Sequence, residues 1–148
     1  MRILCQSNAG ASLPESARCR GETDRTEFAP LKVGDEYIVY GLMFLFSRVD
    51  FLVCPGGTGP YWMPSNLFSV SDSTLPAWRI CLTAQVRDYQ GLLATFGITA
   101  LVGYDALVSD YQHYVGILER DPVHLQRFFA AKQLVDQWQN ARSGDDPG

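Results

Sequence analysis

The strongest constraint on the fold is a change in hydrophobic period near residue 88. Residues 78–86 alternate between apolar and polar side chains, which is typical of a half-buried antiparallel strand. From about residue 104 the apolar residues instead recur at helical spacing, as in an amphipathic helix. The strand stripe consists of Trp78, Ile80, Leu82, Ala84 and Val86, and the helical stripe of Tyr104, Leu107, Val108, Tyr111, Val115 and Leu118. This order predicts an α+β fold with a β-rich part, 1–87, and then a helical part, 88–142.

Shorter apolar runs predict the remaining strands. They are residues 2–5, 36–46, 48–54, 61–63 and 67–70. The short gap between 36–46 and 48–54 favours a hairpin, in which Asp50 lies on the face opposite the apolar residues of its strand. Residues 6–27 are polar and show no sustained period. We therefore expect a long loop there, and loops of this length are usually functional or mobile.

The last predicted helix has a clear beginning and end. Asp121 and Pro122 form the usual pair of an N-cap and a proline in the first helical position. A second apolar stripe then continues to about Trp138. Residues 143–148 are polar and rich in glycine and aspartate, so we predict a disordered tail after a single domain, 1–142.

Length and charge narrow the class of protein. A chain of 148 residues with 47% apolar content is large enough for its own core. Its net charge of −4 argues against a nucleic-acid partner, because phosphates require clustered Lys and Arg. The same charge suits a basic protein partner. No secretory signal and no run of about 18 apolar residues is present, so we expect a cytoplasmic protein with no membrane partner.

The cysteines give no sign of a metal site. Cys5, Cys19, Cys54 and Cys81 are widely spaced and form no close pair of the kind that zinc sites use. We interpret Cys5, Cys54 and Cys81 as small core residues. We predict no metal and no cofactor.

The segment 54–68 is rich in glycine, proline and aromatic residues, which raises the question of a phosphate-binding loop. A P-loop requires a lysine after its last glycine, and none follows Gly56, Gly57 or Gly59. Pro60 also removes one backbone donor. We interpret the segment as a bend between strands.

Histidines and carboxylates show no catalytic spacing. His113 and His124 are expected on the solvated surface of their helices, with no third ligand spaced to join them. The acidic residues are dispersed along the chain. They either only keep the surface solvated or together produce an electrostatic field that acts on a partner. Tyr61, Trp62 and Met63 with Trp78 could form an aromatic binding platform, because Trp and Tyr dominate interface hot spots. The predicted partner-binding residues are Asp35, Glu36, Asp50, Tyr61, Trp62 and Asp72.

Two stretches resemble parts of a small SH3-type β-barrel. Residues 31–40, L-K-V-G-D-E-Y-I-V-Y, resemble the strand entry after the first SH3 loop, and residues 63–68, M-P-S-N-L-F, the turn before the last strand. The resemblance implies an SH3-like antiparallel barrel followed by two or three helices. Leu67 stands where proline-binding SH3 domains have a tyrosine, so the groove for polyproline helices is not expected.

The whole chain also resembles a family of small bacterial proteins of poorly defined function. The matching motifs are R-x-L-C-x-S-N-x-G-x-x-L-P at 2–14, the L-x-V-G-x-E-Y-x-V-Y block at 31–40 and the turn at 62–68. Some relatives accompany toxins, which implies an immunity role. No catalytic residue is implied by this resemblance.

Three hypotheses follow. The first is a non-catalytic immunity protein that binds and occludes a basic toxin domain. The second is a small enzyme with a site assembled by the loop 6–27 around Cys5, Ser7 or Asn8, since a strand end that opens into a polar loop often carries catalysis. The third is an SH3-like module associated with nucleic acid or translation, which the missing Lys/Arg stripe disfavours.

Overall fold

The computed structural model describes residues 1–144, in which the strands form two antiparallel sheets and helices cover one face of the larger sheet. The α+β class is thereby confirmed. The strands are β1 Arg2–Cys5, β2 Glu36–Ile38, β3 Gly41–Leu45, β4 Val49–Val53, β5 Tyr61–Pro64, β6 Phe68–Asp72, β7 Arg79–Leu82 and β8 Ile98–Gly103. The helices are α1 Gln90–Phe96, α2 Asp105–Ser109, α3 Tyr111–Leu118 and α4 Pro122–Gly144.

The small sheet has the order β2-β1-β6 and the large sheet the order β5-β4-β3-β8-β7. The predicted hairpin is confirmed, because β3 and β4 pair directly in antiparallel register. Among residues 1–144 the two sheets remain separate and close no barrel, so the finer assignment to an SH3-like barrel is not confirmed.

Two apolar cores separate three layers. One lies between the sheets, where Ile3 of β1 and Phe51 of β4 are both buried. The other lies between the large sheet and the helices and includes Leu101 of β8 and Phe128 of α4. Alternation along each strand supplies both cores from the large sheet, as expected for a sheet covered on two faces.

The predicted strand 36–46 is in fact two strands in different sheets. β2 ends at Ile38 and β3 begins at Gly41. Val39 is buried in the core between the sheets, and Tyr40 is buried in the core beneath the helices. The chain therefore passes from the small sheet to the large sheet within two residues. Because Val39 and Tyr40 are buried in different cores, apolar residues occur at both odd and even positions around this crossing.

The most regular stripe in the sequence faces the opposite way from our expectation. In β7, Ile80 and Leu82 are 61% and 42% exposed, whereas Cys81 and Thr83 are buried. β7 is an edge strand whose inner face packs on α2, while its other face is left uncovered by residues 1–144. The alternation was correct, but the choice of the buried face was wrong.

The helical half differs from the prediction in three places. Strand β8 lies within the part predicted to be helical and pairs with both β3 and β7. The single helix expected from Tyr104 is divided into α2 and α3 at Asp110, whose side chain accepts the His113 N–H and so starts α3. The predicted start of α4 is confirmed, because the Asp121 carboxylate accepts the Val123 and His124 N–H groups. α4 extends through Gly144, so residues 143–144 of the predicted tail are helical; residues 145–148 lie outside the described residues.

Candidate protein-binding groove

Three of the predicted partner-binding acids lie on the small sheet. Asp35 and Glu36 are exposed at the start of β2, and Asp72 ends β6. Glu36 pairs with Arg2 at 3.1 Å and also accepts the Ser71 hydroxyl at 2.9 Å. An exposed ion pair of this kind contributes little to stability.

Asp50 is placed differently from the other predicted acids. It is 5% exposed, and its carboxylate accepts from Arg48 Nε at 2.7 Å. Arg48 also pairs with Glu22, which ties the loop 6–27 to β4. Burial raises the pKa of Asp50 against the opposing effect of Arg48. Asp50 is therefore an interior residue, contrary to the expectation that it contacts a partner.

Tyr61 and Trp62 lie on β5, at the edge of the large sheet opposite β7. Both are half-buried: Tyr61 packs against the core between the sheets and Trp62 against the core beneath the helices. They therefore point to opposite faces, as strand alternation requires. Tyr61 carries the guanidinium of Arg120 over its ring, 4.3 Å from the centroid.

The fourth residue of the predicted platform, Trp78, lines an apolar groove of about 260 Å³. Tyr104 at the end of β8 and three residues of α4, Leu134, Val135 and Trp138, form its other walls. Leu134 is 68% exposed and shares this groove with Trp78 and Trp138, so the apolar surface there is contiguous. Sequence periodicity marked Trp138 and Leu134 only as core residues of a helix, so their part in the groove was missed.

Acidic groups stand beside this groove. Asp105 lines it directly. Asp72 accepts from Gln139 Nε2 at 2.7 Å and lies 3.8 Å from Arg142, whose guanidinium is stacked on Trp138 at 5.0 Å. The Thr74 N–H, followed by Gln139, lowers the pKa of Asp72 to about 2. The carboxylate that lines the groove, Asp105, pairs with Arg79 at 3.0 Å, and Asp72, which lies beyond Arg142, stays charged at neutral pH.

The loop 6–27 is ordered by contacts with the rest of the chain. Cys5 is 1% exposed and its thiol donates to the Ser7 carbonyl at 3.3 Å, while burial raises the thiol's pKa. The Ser7 hydroxyl bonds with Ser12 at 2.6 Å, and Asn8 donates to the Leu31 carbonyl. None of these bonds joins a nucleophile to a base, so the geometry gives a catalytic site at Cys5, Ser7 or Asn8 no support.

The expectation that His113 lies on a solvated surface is wrong. It is fully buried, with Nε2 2.7 Å from the Tyr104 hydroxyl and Nδ1 3.2 Å from Nδ1 of His124. Arg127, which can only donate, lies 3.5 Å from the same His124 nitrogen, so that nitrogen is the acceptor and His113 the donor. Gly116 permits the contact, because a Cβ there would lie 2.2 Å from the His124 ring. The pair joins α3 to α4.

Within residues 1–144 no three His, Cys, Asp or Glu side chains are grouped so as to hold a metal ion. No helix in that part of the chain is both long and apolar enough to cross a bilayer.

Comparison of the chain with protein-family models, with curated proteins and with solved structures gives no match. The resemblance to a bacterial family with immunity members therefore stays a prediction.

Proposed function

We propose that this chain is a non-catalytic binding protein that occludes a basic bacterial toxin domain, as an immunity protein does. The observation that carries the proposal is the groove between Trp78 and α4. Contiguous exposed apolar surface that includes tryptophan is typical of a site where a partner packs. The SH3-like character of the sheets is part of the same proposal and is inferred from the motifs at 31–40 and 63–68 alone.

Leu134, Trp138 and Trp78 are the proposed anchors. A standard interface buries about 800 Å² on each partner around a few such side chains. The groove would hold an apolar side chain of the toxin domain, and neighbouring contacts would exclude water around it.

The acids of the small sheet supply the electrostatic part. Asp72 stands beside the groove, and Asp35 and Glu36 are exposed on the same sheet. Together with a net charge of −4 they would attract a basic, substrate-grasping cleft and speed the encounter. We therefore expect an association rate that falls as salt is added.

Tyr61 and Trp62, the other predicted contacts, lie at the far edge of the large sheet from β7. A partner centred on the groove would leave them outside the interface core. They remain a secondary surface in the proposal.

The test is co-expression with the C-terminal domain of a toxin encoded beside this chain. Leu134→Glu, in the groove, is compared with Leu118→Glu at the end of α3, since both leucines are exposed and neither substitution empties a core. We expect wild type and Leu118→Glu to protect cells, and Leu134→Glu to bind the toxin domain about thirtyfold more weakly or worse. Equal killing with and without this protein would refute the proposal.

A further inference from the structure

Arg120 adopts a backbone conformation that arginine rarely takes. Its φ is 59°, and it is the only non-glycine residue among 1–144 with a positive φ. It follows the end of α3, where the Asp121 N–H bonds to the Gly116 carbonyl at 2.9 Å across the turn. This bond closes the end of α3 through a residue in the left-handed conformation, a position that glycine usually occupies because a Cβ is disfavoured there. We therefore expect contacts of the Arg120 side chain to compensate for this unfavourable backbone conformation.

The side chain of Arg120 reaches the glycine-rich bend between β4 and β5. Its guanidinium lies over Tyr61 and beside Gly59, where an added Cβ would come within 2.7 Å of Nη1. Gly59 therefore makes room for the cation. Residues 54–60 form the predicted bend, and the guanidinium of Arg120, a residue distant in sequence, packs against it.

This guanidinium has no anionic partner in the described part of the chain. Nη1 is buried without a hydrogen-bond acceptor, and residues 1–144 provide Arg120 with neither an ion pair nor a hydrogen bond. Arg48, by contrast, is 6% exposed and pairs with both Glu22 and Asp50. Partly desolvating a cation is costly unless an acceptor is found, and a stacked ring compensates only in part.

The nearby charges leave a place for an anion. Asp121 is occupied as the N-cap of α4, and Lys132 is paired with Asp136 at 2.6 Å. Glu119 precedes Arg120 and is exposed, with no bond to it. Gly56 and Gly57 are exposed and carry no side chain that would block approach.

We propose that Arg120, stacked on Tyr61 beside Gly59, is a binding site for an oxyanion, either a carboxylate or a phosphate. Nη1 is enclosed beside Gly59, so the anion would be bound by the opposite edge of the guanidinium, where the paired Nε–H and Nη2–H donors match both groups and the half-buried setting strengthens such charge-assisted bonds. This site is separate from the groove and does not depend on the toxin proposal.

The experiment titrates the folded chain with sodium phosphate and, separately, sodium acetate at constant ionic strength. The readout is the arginine Nε–Hε and backbone amide signals in ¹H–¹⁵N NMR spectra. We expect saturable shifts at Arg120 and at the Gly56–Gly59 amides. Saturation by phosphate alone identifies a phosphorylated ligand, and saturation by acetate alone or by both identifies a carboxylate-competent site; each outcome supports the proposal.

Arg120→Gly is the decisive variant, because glycine suits the left-handed position and the fold should melt no lower than wild type. It should lose about tenfold or more in affinity for the effective anion, and Arg120→Lys should lose part of it, since lysine cannot bind in two-pronged fashion. Arg79→Ala removes an exposed arginine elsewhere and should leave the titration unchanged. Unsaturable shifts, or equal losses in Arg79→Ala and Arg120→Gly, mean an adventitious ion only and overturn the proposal.

Discussion

Acidification from pH 7 to pH 5 should destabilise this protein through one buried histidine. His113 is neutral in the folded chain, where it donates to His124 and accepts from Tyr104. Burial, and then the positive charge of Arg127, lowers its pKa to about 4, and Asp110 opposes this only in part. Protonating His113 inside the fold would place a charge against Arg127 with no water to solvate it.

The size of the effect follows from the two pKa values. An unfolded histidine titrates near 6.5, so between about pH 6.5 and pH 4 the unfolded state binds a proton that the folded state does not. Stability that is fully present above pH 6.5 is therefore lost as the pH falls toward 4. At about 1.4 kcal/mol for each pH unit the whole loss is about 3 kcal/mol, of which about 2 kcal/mol falls between pH 7 and pH 5.

Urea unfolding followed by circular dichroism at pH 7, 6 and 5 measures this loss. His113→Gln replaces the titrating ring and should be less stable at pH 7 but nearly insensitive to pH across this range. His124→Gln leaves His113 in place and should keep most of the pH dependence. Equal stability of the wild type at pH 5 and pH 7, or a loss in His113→Gln as large as that in the wild type, would contradict this prediction.

Three other substitutions test the packing. Asp50→Ala should cost about 2 kcal/mol or more in urea unfolding, because it removes one of the two carboxylates, Asp50 and Glu22, that pair with the buried Arg48; a loss below about 1 kcal/mol would show that the site is hydrated. Ile80→Thr should change the free energy of unfolding by less than about 0.5 kcal/mol while lowering aggregation measured by light scattering, and a large loss would place Ile80 in the core after all. Gly116→Ala should cost about 1–3 kcal/mol in thermal unfolding through its clash with the His124 ring, and no change would show that α3 and α4 separate freely.

The structural features that depend only on residues close together in the sequence were predicted correctly. The hairpin of β3 and β4 and the Asp121 cap depend on neighbours within a few residues, and both were predicted. β7 shows the limit of such signals: alternation states that Ile80 and Leu82 share a face, but only the neighbouring layers decide which face is covered. β8 was missed because a short run buried on both faces carries no period of its own.

The candidate sites failed or succeeded for a similar reason. Asp50 was placed on the correct face of β4, yet the sequence could not show that helices cover this face and that Arg48 and Glu22 meet the carboxylate there. His113 lies between polar neighbours, and its burial depends on Gly116 and His124, which approach it from other turns. Trp78 was included in a binding platform, but its partners in the groove come from α4, more than fifty residues later.

The step at Val39 and Tyr40 has a mechanical consequence. Two consecutive peptide units anchor the interiors on either side of the large sheet, so neither interior can loosen without pulling on the other. We expect amide hydrogen exchange of the residues that line the two cores to report one shared opening event with a single free energy.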